Sequence, residues 1–248
     1  MYLLGLSLTA ALPGERRVSA RWGWAGETVS FFSILGAMMP AMMSHSTAFT
    51  DDETLVLADA EFFRKKAAIT TKIRVMLEAT HGALQNELAG LSLVTPPDFN
   101  PHLHQLVKGE HLEDFPYQYL DCPKHFSGAS TFTFRTLVWW GHHVACALLL
   151  EGSEIGQYKR QLLGRFHQLA GKDLELSLAP SLWEWKYGEG YTLPITHDRK
   201  AQIAAVLAER SFLKIVRCVS LADSRVREGQ LAQLACETFR SLSPLVTP

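Results

Sequence analysis

Residues 131–140 and 144–150 constrain the fold of this 248-residue chain more than any other feature. The first run, Thr131-Phe132-Thr133-Phe134-Arg135-Thr136-Leu137-Val138-Trp139-Trp140, is β-branched and aromatic, and the second, Val144-Ala145-Cys146-Ala147-Leu148-Leu149-Leu150, is apolar throughout. Both compositions favour strands. Gly141 between them permits a tight reversal, so a β-hairpin is expected. A strand with one wet face alternates apolar and polar residues, whereas an unbroken apolar run suits a strand covered on both faces. The hairpin therefore belongs at the centre of a sheet.

The flanking sequence supplies the other layers. Phe62, Ile69, Ile73, Met76, Leu77, Leu84 and Leu88 recur at spacings near three, four and seven, which predicts one apolar face of a helix over 59–88. Asp59 suits its N-cap and Gly90 its C-terminal end, with Gly82 a candidate break. Pro96, Pro97 and Pro101 then interrupt regular structure, and the segment as far as Pro116 reads as a polar connector. Residues 117–121 form a short strand stopped by Pro123. A helix over 155–170 ends at Gly171. Strands are expected at 174–178, 182–187 and 212–219, the second because Trp183, Trp185 and Tyr187 alternate with Leu182, Glu184 and Lys186. Helices start near Asp198 and at Ser220-Leu221-Ala222-Asp223, the latter read as a capping box. Consecutive strands without intervening helices predict an α+β domain: an antiparallel or mixed β-sheet of about five to six strands flanked by helices, with a long N-terminal helix.

Charge separates two kinds of sequence within the chain. Lys plus Arg is 24 and Asp plus Glu is 25, yet residues 1–50 hold only Glu15, Arg16, Arg17, Arg21 and Glu27. Residues 1–42 are expected to be an N-terminal extension produced by a mis-assigned start, with translation beginning at Met42 or Met43. A disordered or loosely helical tail and a targeting segment are the two other readings. The apolar run at 29–43 is interrupted by Pro40 and falls short of the ~20 residues that span a bilayer, so no membrane span is expected. Residues 43–248 then form a single α+β domain, large enough to bury a core without staples. Its 21 basic and 23 acidic residues argue against a polyanion binder, and no nucleic-acid partner is expected. Cys122, Cys146, Cys218 and Cys236 are widely spaced without a C-x-x-C pair, which fits a reducing, cytoplasmic setting. Export is the alternative if the first ~46 residues address the chain elsewhere.

Short motifs occur in order along this domain: Lys108-Gly109-Glu110, Phe115-Pro116-Tyr117, Leu120-Asp121-Cys122-Pro123, Phe134-Arg135-Thr136, Trp139-Trp140-Gly141 and Trp183-Glu184-Trp185-Lys186-Tyr187. Together they resemble an uncharacterised family of small bacterial hypothetical proteins, over roughly residues 60–242. The resemblance implies a bacterial cytosolic protein whose members begin shortly before the long helix. The family has no assigned activity, so the resemblance assigns no role to any residue.

Sequence signatures of common chemistries are missing. Gly188-Glu189-Gly190 has Leu193 where a dinucleotide loop needs its third glycine, and Gly152-Ser153-Glu154-Ile155-Gly156 sets the serine one place early for a nucleophile elbow. His102 and His104 share one side of an extended segment, but among prolines in a polar connector they read as exposed histidines. His142 and His143 read as turn and strand-start residues, since adjacent strand positions point to opposite faces. Cys122 near His125 reads as a buried free thiol. No metal and no cofactor are expected.

Charges embedded in strands are the better lead. Arg135 lies in an otherwise neutral strand, Asp121 closes the 117–121 strand, and Glu184 sits between two tryptophans. Burying any of them unpaired would cost several kcal/mol, on the order of the whole stability of a domain. They are therefore solvated, paired or lining a polar cavity. The expectation is a ligand-binding site built from Arg135, Trp139, Asp121 and Glu184, bordered by Lys108 and Glu110. An arginine beside aromatic rings holds an anion through its fork and a planar group by stacking. The corresponding function is a non-catalytic domain that binds a small molecule or a protein through a sheet face around Arg135 and Trp139. The alternative is an enzyme using Asp121 or Glu184 as acid/base, with Arg135 orienting an anionic substrate. Oligomeric state is left open.

Overall fold

The structure is a computed structural model that describes residues 47–128 and 130–248. The expected extension of residues 1–42 lies outside the described residues. The chain divides into a unit of residues 1–54 and a unit of residues 55–248, and apart from helix α1, which crosses that boundary, the fold below is that of the second. Helix α1 (Asp51–Ala58) starts at a capping box that the sequence reading missed. Thr50 Oγ1 accepts from the Glu53 N–H while the Glu53 carboxylate accepts from the Thr50 N–H. Those bonds also hold the Glu53 carboxyl below its usual range.

The long helix α2 (Ala60–Leu88) is the second helix of the described chain rather than the first. Asp59 caps it by accepting from the Phe62 N–H at 2.8 Å, and Gly90 follows it at φ +83°, a conformation glycine adopts without a Cβ penalty. Gly82 causes no break.

Four strands follow: β1 (Gln105–Leu112), β2 (Phe115–Ser127), β3 (Ser130–Trp139) and β4 (His143–Glu151). Helices α3 (Ile155–Gly164) and α4 (Phe166–Leu169) lead to the short strands β5 (Glu175–Ser177) and β6 (Thr192–Pro194). Helix α5 (Lys200–Ala208), strand β7 (Phe212–Ser220) and helices α6 (Ser224–Arg227) and α7 (Leu231–Leu242) complete the unit. All seven strands join one antiparallel sheet in the order β1-β2-β3-β4-β7-β5-β6. The architecture is α+β, with the β3–β4 hairpin at its centre as its composition required.

Several elements differ from the sequence reading, each for a physical reason. The polar connector before Pro116 contains β1, an edge strand that is half-buried and therefore carries Lys108, Glu110 and His111 without an apolar signature. Strand β2 continues through Pro123 because the register shifts between Asp121 and Lys124, and a bulge needs no N–H from proline. The helix over 155–170 breaks at Arg165, whose guanidinium donates to the carbonyls of Pro244 and Thr247 in the C-terminal segment. Residues 182–187 are not a strand. Their buried members, Leu182 and Trp185, are three apart, and the Lys214 ammonium rather than a neighbouring strand donates to the carbonyls of Leu182 and Glu184. Ser220 ends β7, and Asp223 caps α6 by accepting from the Arg225 N–H at 2.9 Å.

The sheet's two faces are covered differently. One face packs Phe132, Phe134, Val144, Cys146, Leu148, Leu213 and Ile215 against the helices, where Phe134 meets Phe239 of α7 edge-on at 5.4 Å. The other face carries Leu137, Trp139, Ala145, Ala147, Leu149, Phe212 and Val216, and among the described residues no helix lies on it. Its cover is the loop at 178–191, which contributes Leu182 and Trp185. Among the described residues no helix is long and apolar enough to cross a membrane.

Candidate functional site

The loop-covered face holds the charges that the sequence singled out. Asp121 and Arg135 are direct cross-strand partners in the β2–β3 register, so alternation sends both side chains to that face. Asp121 is 0% exposed and Arg135 6%. Arg135 Nε donates to Asp121 Oδ1 at 2.7 Å and Nη2 to Oδ2 at 2.8 Å, a bidentate fork. Alternation also places Tyr117 and Tyr119 of β2 on this face, with rings nearly parallel and centroids 6.0 Å apart. The Arg135 guanidinium carbon sits 3.7 Å from the Tyr119 ring centroid and 5.4 and 5.5 Å from those of Trp183 and Trp185.

A cavity of about 250 Å³ opens here, walled by Leu112, Tyr117, Tyr119, Arg135, Leu137, Trp183 and Trp185. Its two sides come from different parts of the chain: β2 and β3 below, the loop above. Trp185 is buried, whereas Trp183 is 48% exposed at the rim. The Tyr117 ring lies over Gly109 of β1, where a Cβ would come within 2.3 Å of it, so that glycine makes room for one wall.

Lys214 of β7 holds the loop in place. Its ammonium is buried, donates to the carbonyls of Leu182 and Glu184, and lies 4.6 Å from the centroid of Trp185. Burial lowers its pKa to about 8. Arg210 similarly donates to the carbonyls of Leu178 and Ala179. Trp185 is thus flanked by two cations, Arg135 and Lys214.

The expected constellation is only partly assembled. Arg135, Asp121 and Glu184 share the loop-covered face, but Glu184 meets Lys214 through its backbone carbonyl, and its carboxylate has no hydrogen-bond partner among the described residues. Trp139 lies on the same face four residues along β3, roughly 13 Å by strand rise, and does not line the cavity. It is 1% exposed, donates from Nε1 to the Leu112 carbonyl and stacks on His142 at 3.7 Å. Lys108 and Glu110 do not border the site. Lys108 pairs in register with Gln118, which donates to the Thr70 carbonyl of α2, and Glu110 accepts from Lys66 of α2 at 2.7 Å. Both therefore lie on the helix-covered face, with the sheet between them and Arg135.

Sequence reasoning missed Tyr117, Tyr119, Trp183, Trp185 and Lys214 as site residues. Lys214 had a usable signal, a lone charge in the apolar run Phe212-Leu213-Lys214-Ile215-Val216, of the same kind that singled out Arg135. Nothing local marked the tyrosines until register placed them beside Arg135.

Other candidate chemistry is quiet. Among the described residues no group of three or more His, Cys, Asp or Glu is placed to hold a metal ion. All four cysteines are free, and burial pushes the Cys122 thiol up to about 11 and Cys146 to about 12, so neither supplies a thiolate near neutrality. No protein-family model, curated protein or solved structure matches this chain.

Proposed function

We propose that this domain binds a small planar molecule bearing a carboxylate or carbonyl, in the cavity between Tyr117, Tyr119 and the Trp183–Trp185 loop. The observation that carries this reading is a buried guanidinium, paired with Asp121, set in an aromatic-walled space of about 250 Å³. Such a volume is at the small end of ligand sites and suits one ring or two fused rings. Aromatic walls accept flat groups by offset stacking. The Arg135 guanidinium puts positive charge at the cavity wall, and Lys214 behind Trp185 adds potential that Asp121 does not cancel. A cationic ligand is disfavoured, because Arg135 already occupies the aromatic box. Four of the short motifs, FPY, LDCP, FRT and WEWKY, contribute Tyr117, Asp121, Arg135 and the two tryptophans to this one site.

The enzymatic alternative has less support. Both oxygens of Asp121 accept from Arg135, so neither is placed to exchange a proton with a substrate, and Glu184, the other candidate, does not line the cavity.

A thermal-shift screen of the full chain tests the proposal with benzoate, nicotinate and indole-3-carboxylate, against benzylamine as the cationic control. At a concentration about 100 times Kd a specific ligand adds about 2.7 kcal/mol of stability. At least one carboxylate is expected to raise Tm and benzylamine to leave it unchanged. Trp183→Ala, at an exposed rim position, is expected to fold normally and lose the shift. A panel with no shift, or a shift that Trp183→Ala leaves intact, rules the cavity out.

A further inference from the structure

Strand β7 outruns its neighbour on one side. Strand β4 pairs with all nine of its residues, from Phe212 to Ser220, but β5 on the other flank reaches only Ile215 and Val216. The chain leading into β5 turns aside at Asp173, whose φ of +50° is left-handed.

The ladder fixes which groups face the gap beyond β5. The Ile195 N–H donates to the Leu174 carbonyl, so Glu175 and Pro194 form a non-hydrogen-bonded pair. Glu175 therefore turns its own N–H and C=O away from β6 and toward Val216. Alternation along β7 then points the N–H and C=O of Cys218 and Ser220 to that same side, past the end of β5. The Ser220 carbonyl accepts from the Asp223 N–H in a turn. Among the described residues the Cys218 N–H and C=O and the Ser220 N–H meet no partner. Unpaired main-chain groups in a row are a template for a further strand.

Two cavities flank this edge, and Asp173 and Cys218 border both. One, of about 390 Å³, lies toward the helix-covered face between Arg217, Asp223, Arg225 and Glu237. The other, of about 350 Å³, is walled by Glu175, Tyr187 and Thr196. Side chains of a strand laid along the edge alternate between the faces, so consecutive residues reach one cavity each.

Charge selects the occupant. In the first cavity Asp223 accepts from Arg225 at 3.1 and 3.2 Å, and Arg217 donates to Thr238 and to the Lys172 carbonyl. The second holds Asp173 and Glu175, and among the described residues no cation lines it. We propose that this edge receives an extended peptide as a short added strand beside Cys218 and Ser220, with a lysine or arginine of the peptide entering the cavity of Asp173, Glu175 and Tyr187. Main-chain bonds to β7 set the register, and the acidic cavity sets the side chain. A neutral or acidic segment would leave both carboxylates uncompensated.

Fluorescence anisotropy of the full chain tests this with a labelled, acetylated pentapeptide of valine and threonine around a central lysine. Its companions carry a central arginine, a central glutamate, or a fully N-methylated backbone. The lysine and arginine peptides are expected to bind with Kd below about 1 mM, and the glutamate peptide roughly tenfold more weakly. The N-methylated peptide is expected not to bind, because it has no N–H to donate. Glu175→Gln is expected to weaken the lysine peptide roughly fivefold with an unchanged circular dichroism spectrum. Hydrogen exchange reads the edge itself: the Cys218 and Ser220 amides are expected to exchange faster than Val216 in the free chain and to slow when the lysine peptide binds. Absence of binding by both basic peptides below about 1 mM overturns the proposal. So does equal binding of the glutamate or N-methylated peptide, or exchange at Cys218 and Ser220 that the peptide leaves unchanged. Protection of those amides that rises with protein concentration alone would place a second copy on the edge and overturn it as well.

Discussion

Replacing Asp121 by alanine is expected to cost about 3–5 kcal/mol of folding stability. The substitution strands the Arg135 guanidinium at 6% exposure without either acceptor that now satisfies Nε and Nη2. Arginine cannot shed its charge to escape, because it stays protonated at any pH a folded protein meets. The Tyr119 face, 3.7 Å away, returns a cation–π contribution of only about 2 kcal/mol or less. Against a typical total of about 5–15 kcal/mol, the loss is enough to unfold a marginal domain. The paired replacement separates the penalty of an unpaired charge from the worth of the pair. Asp121→Leu together with Arg135→Met is expected to restore most of the stability, since a buried pair barely exceeds its desolvation cost. Urea unfolding of the single and double variants provides the measurement, read as a change in midpoint at constant slope. A single-variant loss below about 1 kcal/mol would show that water reaches Arg135 freely.

Acid is expected to destabilise the fold through His143, which begins β4 beside Trp139 and Tyr187. Its Nε2 is buried without a partner, its ring lies 5.6 Å from that of Trp139 and 5.8 Å from Tyr187, and burial, with His142 adding to it, lowers its pKa to about 4. Between pH 4 and 6.5 the unfolded chain binds a proton at this histidine that the folded chain refuses. Stability contributed by the neutral ring is therefore complete above pH 6.5 and is lost as pH falls toward 4, by about 3 kcal/mol. His143→Gln is expected to flatten that part of the curve. Unfolding free energies at pH 4.5 and 7 for the two proteins check it, and an equal acid loss in both would assign the effect elsewhere. Lys214 acts with the opposite consequence in alkali. Its folded pKa of about 8 lies below the unfolded value, so the cost of burying the charged amine is present below pH 8 and is relieved as pH rises from there toward 10.5.

The central layer was legible from sequence because its elements carry their own signal. Residues 131–150 announced two doubly covered strands and the turn at Gly141, and the stripe from Phe62 to Leu88 announced α2. Edge elements were not legible. Strand β1 is half-wet and polar, and residues 182–187 alternate like a strand while their carbonyls are bonded by Lys214. The site was legible to the same degree. Asp121 and Arg135 stood out as charges too costly to bury alone, and pairing is the resolution the fold adopted. Lys108 and Glu110, expected at the site's border from what reads as a polar connector, lie in strand β1, whose register sends them to the helices. The exposed half of α2 had the same periodicity as its buried half. Periodicity says which residues share a face, not what covers it.

The measurement that bears most directly on the proposed cavity is a tryptophan-fluorescence titration of the wild-type chain with the aromatic carboxylates. Trp183 and Trp185 form one wall, so a ligand stacked there is expected to quench their emission in a saturable manner. Tyr119→Leu, which removes the opposite wall, is expected to raise the apparent Kd at least tenfold, or about 1.4 kcal/mol, whereas Phe115→Leu, an exposed position that does not line the cavity, leaves it unchanged. Quenching that is linear in ligand concentration, or identical in wild type and Tyr119→Leu, would contradict a binding site between these walls.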